Sequence, residues 1–189
     1  MWNRFLLLCF AVTVSCASAQ KKPKPALPHI DRNACPFECC QFGTWKTKQQ
    51  IQVFDNWTDV RKKSFTLKKG MAVTVLTGIH ITYRPGRLRA LRSIPDLHIR
   101  KGDVVLTYMY HGEGYFDFWV NGFTGNDQIY TSLKCSDLKK SETEPLCIEA
   151  SSKTDWWVQI KTKEGRTGWV NGNEGFSGSD ACGVNTFIK

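Results

Sequence analysis

Residues 156–170, WWVQIKTKEGRTGWV, hold two alternating, aromatic-rich runs on either side of Lys163-Glu164-Gly165-Arg166. Side chains along a strand point to opposite faces in turn. Trp156, Val158 and Ile160 therefore fall on one face, and Trp157, Gln159 and Lys161 on the other. Two such runs joined by a short turn containing glycine predict a β-hairpin. The same grammar recurs upstream. Residues 71–76 (MAVTVL) form a β-branched run opened by Lys69-Gly70, and residues 104–110 and 115–120 make a second hairpin through His111-Gly112-Glu113-Gly114. Shorter strand candidates are 51–54, 64–67 and 79–83. Residues 34–45 (ACPFECCQFGTW) read as a cysteine staple followed by an opening strand.

Between these strands the pattern lapses twice. Residues 84–92 (RPGRLRALR) start with a Pro-Gly turn and continue as an arginine-rich loop or a single helical turn. Residues 121–153 are polar and turn-rich and read as a long inserted loop. A glycine-rich irregular stretch closes the chain around Cys182. Many short strands, regular turns and almost no amphipathic helix predict an all-β barrel architecture. One weak repeat supports two related lobes: Leu67-Lys68-Lys69-Gly70-Met71-Ala72-Val73 parallels Ile99-Arg100-Lys101-Gly102-Asp103-Val104-Val105.

The N-terminus carries a secretory signature. Arg4 precedes an apolar run of about ten residues, and Ala17-Ser18-Ala19 is a small-residue cleavage motif. That run is shorter than the roughly 20 residues needed to span a bilayer. Cys16 raises a lipoprotein alternative, but position 13 holds threonine where an aliphatic residue is usual, which argues against it. Cleavage after Ala19 removes 19 of 189 residues and leaves 170. No later segment is apolar enough to suggest a membrane span.

Residues 20–33 (QKKPKPALPHIDRN) follow as a basic, proline-bearing arm, expected to be extended rather than packed. The chain has 26 basic and 17 acidic residues and a formal net charge of +9, or +8 once Arg4 has left with the signal. That balance favours anionic partners, though it also serves solubility. Export makes nucleic acid a poor candidate.

Six cysteines remain after the signal: Cys35, Cys39, Cys40, Cys135, Cys147 and Cys182. In an oxidising compartment they predict up to three disulfides, with 15 possible pairings. Cys39 and Cys40 are neighbours whose bond closes a strained ring, so they are not paired with each other. Cys135 and Cys147 enclose a polar loop and are paired first. Cys182 is expected to tie the C-terminus back to the Cys35–Cys40 cluster. Cys35, Cys39, Cys40 and Cys182 also have the makings of a zinc site, but the compartment favours disulfides.

Three motifs resemble those of exported bacterial SH3-domain proteins. They are Lys69-Gly70 before the 71–76 strand, Lys101-Gly102-Asp103 before the 104–110 strand, and Gly168-Trp169-Val170 as a closing strand. The resemblance touches residues 64–170. It departs from the family in the long 121–153 loop and in an N-terminal half that is hard to align. It implies one or two SH3-like small barrels, disulfide-stapled: a first lobe over 34–98, a second over 99–183 and a tail over 184–189. It also implies a non-catalytic binding module for cell-wall peptide or glycan, or for an envelope protein. A structural or assembly protein of the envelope with no small ligand is the alternative.

Candidate binding residues follow from residue type. Tyr108, Tyr110, Tyr115, Trp119, Trp157 and Trp169 lie on the two strong hairpins, and exposed rings stack on sugars or peptide. Against this, core packing must claim about half of them. Arg87, Arg89 and Arg92 head the basic clusters, with 61–63, 68–69 and 100–101, and arginines grip phosphates or carboxylates in pairs. Enzyme chemistry finds little support. His29, His80, His98 and His111 sit in no metal-binding or triad spacing, no nucleophile elbow or phosphate loop is present, and oxidised cysteines offer no nucleophile. Neither a cofactor nor a metal is expected, and the sequence leaves the oligomeric state open. Asn56-Trp57-Thr58 matches a glycosylation sequon, read as incidental beside the bacterial resemblance.

Overall fold

The computed structural model describes residues 21–59, 62–140, 143–173 and 175–182. The signal segment with its cleavage site at Ala19, Arg61 of the basic cluster and the tail 184–189 lie outside them. The fold is all-β, with a curled half-barrel sheet and three bonded cysteine pairs. Among the described residues no helix is long and apolar enough to cross a membrane.

The first sheet is built from β1 (His29–Arg32), β2 (Gly43–Thr47), β3 (Ile51–Phe54), β4 (Lys63–Leu67), β5 (Ala72–Arg84), β11 (Lys153–Lys161), β12 (Thr167–Asn171) and β13 (Phe176–Ser177). Its order is β13-β2-β5-β11-β12-β3-β4, and β1 pairs with the far half of β5. The second sheet holds β6 (Gly86–Ala90), β7 (Val104–Gly112), β8 (Tyr115–Val120), β9 (Phe123–Gln128) and β10 (Leu146–Ala150), in the order β10-β6-β7-β8-β9.

The strands are thus not shared out at residue 98/99. The second sheet occupies one continuous stretch between β5 and β11, and the first sheet is made from both ends of the chain. Pro85 lies at the crossing: a residue with no N–H ends the β5 ladder, and the chain continues as β6 in the other sheet.

The 156–170 hairpin forms as its alternation requires, with Trp157 opposite Asn171 and Gln159 opposite Trp169. Trp156, Val158 and Ile160 enter the main core with Trp45, Val53 and Val170. Trp157 faces the other way and packs with Ile79 and Ile81. A second core, around Val105, Phe118 and Val120, backs the second sheet.

Four sequence expectations need correction. Residues 84–92 are neither loop nor helical turn, because Gly86–Ala90 is a strand in which Leu88 and Ala90 are buried while Arg87 and Arg89 point out. The runs at 71–76 and 79–83 form one strand, β5, passing through Gly78. Glycine is needed there: a Cβ would come 2.1 Å from the Ala34 carbonyl oxygen and 2.7 Å from Trp156 Nε1. The second half of the basic arm is strand β1, paired from His29 with Thr82 to Arg32 with Ile79. The supposed loop 121–153 supplies β9 and β10.

The repeat marks equivalent turns in the two sheets. Gly70 N–H donates to the Thr47 carbonyl and Thr47 N–H to that of Met71, at 2.8 and 2.9 Å. Gly102 N–H and Ala90 N–H form the same exchange with the carbonyls of Ala90 and Asp103, at 2.8 and 2.9 Å. Both glycines have positive φ, 83° and 90°, which a side chain resists.

Disulfides join Cys35 to Cys40, Cys39 to Cys182 and Cys135 to Cys147, with Cα separations of 5.5, 5.5 and 5.0 Å. The expected Cys135–Cys147 pair is present, and Cys182 returns to the N-terminal cluster as expected.

Candidate functional site

The six rings singled out from sequence do not share one groove. Trp157, buried, and Trp169, half-buried, lie on the outer face of the first sheet beside Phe54 and Trp57. Tyr115, 40% exposed, sits at the start of β8. Tyr108 and Tyr110 lie between the sheets, and Trp119 lies against the N-terminal arm. Arg87 and Arg89 both grip the Glu149 carboxylate, Arg87 Nη2 at 3.3 Å, and Arg89 Nη1 also donates to the Gly102 carbonyl. This exposed cluster adds little stability; Arg92, exposed like the other two, lies outside it.

Two sites emerge instead. In the first, residues Lys21–Lys24 run over the β8–β9 hairpin. Lys22 N–H donates to the Gly122 carbonyl at 2.7 Å, Lys22 Nζ to Thr124 Oγ1 at 3.0 Å, and Trp119 Nε1–H to the Lys22 carbonyl at 3.2 Å. Gly122 permits this approach: its φ is 92°, and a Cβ there would come 2.7 Å from that of Lys21. Between arm and hairpin lies a cleft of about 960 Å³, lined by Lys21, Lys24, Arg100, Trp119, Phe123 and His98 among others. The His98 ring packs on Phe123 at 4.3 Å. Asp103 also faces the cleft, but its carboxylate is engaged by the Arg100 backbone N–H at 2.8 Å. Sequence named the arm, Trp119 and Arg100 separately. It set His98 aside with the other histidines, and it missed Phe123, which stood in a stretch read as polar loop.

The second site lies between the sheets. His80, 5% exposed, projects from β5 with Nδ1 3.4 Å from Asp31 Oδ2, while His29 Nε2 lies 3.2 Å from Asp31 Oδ1. The His29 ring meets Tyr108 edge-on at 5.1 Å. Tyr108 is 4% exposed, and its hydroxyl has no hydrogen-bond partner among the described residues. Such a group costs about 1–3 kcal/mol. Burial also pushes its ionisation upward. A pocket of about 150 Å³ adjoins these groups, walled by Tyr110, Phe116 and Trp156 and lined by His80 and Tyr108. No spacing in the sequence joins these residues, because β1, β5 and β7 bring them together from three separate stretches.

Burial works to raise the Asp31 pKa, but the hydrogen bond from His80 and the charges of His29 and His80 outweigh it, so the net shift is downward. A carboxylate with a depressed folded pKa stabilises the fold above its unfolded value, about 3.9, and loses that contribution as pH falls through the folded value. Asp31→Asn should therefore lower stability at neutral pH by about 1–3 kcal/mol, since buried His80 loses its anionic acceptor. Denaturant titrations at several pH values check this. The gap between wild type and variant should close below about pH 4, and a gap that persists unchanged into strong acid would sink the assignment.

Comparison with protein-family models, with curated proteins and with solved structures finds no match to this chain, so its likeness to SH3-type domains rests on the three sequence motifs alone.

Proposed function

We propose that this chain is an exported, non-catalytic binding module that holds an anionic cell-envelope polymer, wall glycan or peptide, in the cleft between its basic arm and the β8–β9 hairpin. One observation carries the reading: the rings of Trp119 and Phe123 line the same open cleft as Lys21, Lys24 and Arg100. Aromatic faces give short-range stacking on a sugar or peptide, and cations give long-range attraction to carboxylate or phosphate. The envelope as location follows from the SH3-type resemblance and from three disulfides, which suit an oxidising compartment.

The test is retention of the oxidised mature protein on isolated cell-wall material in low and high salt. Retention should survive high salt in part and fall about tenfold in Trp119→Ala, the loss expected of a central aromatic anchor. Trp169→Ala, on the far face of the first sheet, should bind as wild type. Retention that vanishes in modest salt reduces the interaction to unspecific charge. No retention in either salt moves the reading to a structural role in the envelope.

A further inference from the structure

We propose that the polymer in the arm cleft is a glycan chain, and that from Trp119 it runs on along the outer face of the β8–β9 hairpin to a second stacking ring, Tyr115. The inference rests on the arm-cleft reading and adds to it the class and the course of the ligand.

The hairpin register fixes which side chains share that face. Tyr115, Asp117 and Trp119 of β8 stand opposite Gln128, Asn126 and Thr124 of β9 in unbroken pairing, so alternation puts all six on one side. Contacts agree. Asn126 Nδ2 donates to Asp117 Oδ1 at 2.8 Å, and Lys22 meets both Trp119 and Thr124. The opposite side is closed, because Phe118 and Val120 belong to the second core. Trp119 and Thr124 also line the arm cleft, so cleft and face are continuous.

Away from the arm the face ends in exposed rings. Tyr115 is 40% exposed, and Tyr130, just past β9, is 64% exposed beside Gln128 in an open slot. Between Trp119 and Tyr115 lies a fixed polar row. His111 Nε2 stands 2.8 Å from Asp117 Oδ2, so the two carboxylate oxygens hold His111 on one flank and Asn126 on the other. His111 Nδ1 and Asn126 Oδ1 remain for a ligand.

This arrangement selects the ligand. Four residues of strand set Trp119 and Tyr115 about 14 Å apart, too far for one sugar ring to touch both, so the ligand is a chain. Aromatic rings stack on the C–H faces of sugars, and sugar hydroxyls, each donor and acceptor, match the polar row between them. A peptide fits this face less well. β8 is bonded to β7 on one side and β9 on the other, so the face offers an extended peptide no backbone partners. Those lie along β9, the outermost strand of the sheet. Charge orients the chain. Lys21, Lys24 and Arg100 take its acidic groups in the cleft, while the Asp117 carboxylate on the face and Glu113 in the slot disfavour a polymer charged at every unit.

The experiment is a calorimetric titration of the oxidised, full mature protein with the disaccharide and the hexasaccharide of N-acetylglucosamine, with the Asn126 side-chain amide followed by NMR. The hexasaccharide should bind at least tenfold more tightly, because its contact with the second ring is intramolecular once the first is made, and it should shift the Asn126 amide. Tyr115→Ala should remove that tenfold gain and leave disaccharide binding unchanged. Tyr115→Phe, which keeps the ring, should bind both as wild type. Trp119→Ala should weaken both sugars. If Trp119→Ala weakens binding and Tyr115→Ala does not, the arm cleft stands and the course along the hairpin falls. The proposal is overturned equally if the hexasaccharide fails to bind or gains nothing over the disaccharide. A wall stem peptide that binds in its place, shifting the backbone amides of Phe123–Gln128, would overturn it in favour of pairing at the sheet edge.

Discussion

Trp156→Ala should reduce the unfolding free energy by about 3–5 kcal/mol, a large share of the 5–15 kcal/mol typical of a folded domain. The indole is 2% exposed and sits among other rings, 5.5 Å from Phe37 and 5.8 Å from Trp45. Two glycines make room for it: a Cβ at Gly172 would lie 2.5 Å from the indole, and one at Gly78 would lie 2.7 Å from Nε1. Nε1–H donates to the Ala34 carbonyl at 2.9 Å, tying the segment that leads into the Cys35–Cys40 bond to the core. Truncation leaves a cavity that backbone on both sides cannot easily collapse into, and it strips the carbonyl of this partner. Trp157→Ala is the matched control. Its ring packs against Phe54, Trp57 and Trp169, which are themselves half-exposed, so water can relieve part of the loss. Guanidinium titrations should show the midpoint falling clearly further for Trp156 than for Trp157. Equal losses would mean that the two faces of β11 are buried to similar effect, contrary to this account.

That contrast between the faces of β11 was legible from alternation alone, as were the hairpins; two features of the disulfides were legible from the positions of the cysteines. What alternation missed has identifiable causes. In β6, Arg87 and Arg89 alternate with Leu88 and Ala90, which is a strand period, but the preceding Pro85-Gly86 and the charge density mimic a turn. At Gly78 a residue that usually interrupts a strand instead lets two neighbours approach, and only the positions of Ala34 and Trp156 reveal this. Strand β1 lies in a segment whose prolines argue for a tether; its ladder to β5 is a long-range contact with no local signature. The sites follow the same rule. Residue type marked the rings and arginines, yet Trp157 went to packing and Arg87 and Arg89 to Glu149. The Asp31–His80 contact spans 49 residues of chain and was invisible to any motif.

Removing the Cys39–Cys182 bond, as the double serine variant, should cost about 5 kcal/mol by chain-entropy reasoning, against about 2 kcal/mol for Cys35–Cys40 and about 3 kcal/mol for Cys135–Cys147. The ranking follows from loop length, since the three pairs are separated by 143, 5 and 12 residues. Topology strengthens the case. The first sheet is assembled from the two ends of the chain with the whole second sheet between them, so its closure is the costliest contact in the fold to bring together. The bond sits where that closure is made: Gln41 N–H donates to the Ser179 carbonyl, Ala181 N–H to that of Cys39, and β13 lies beside β2. Without the covalent link, those few hydrogen bonds must hold the C-terminal edge, and edges of this kind open first. Denaturant midpoints of the three double variants give the ranking, and hydrogen exchange at residues 175–182 reports the fraying. Were the two short-range pairs to cost as much as Cys39–Cys182, the stabilisation would be local packing around each bond rather than constraint of the unfolded chain.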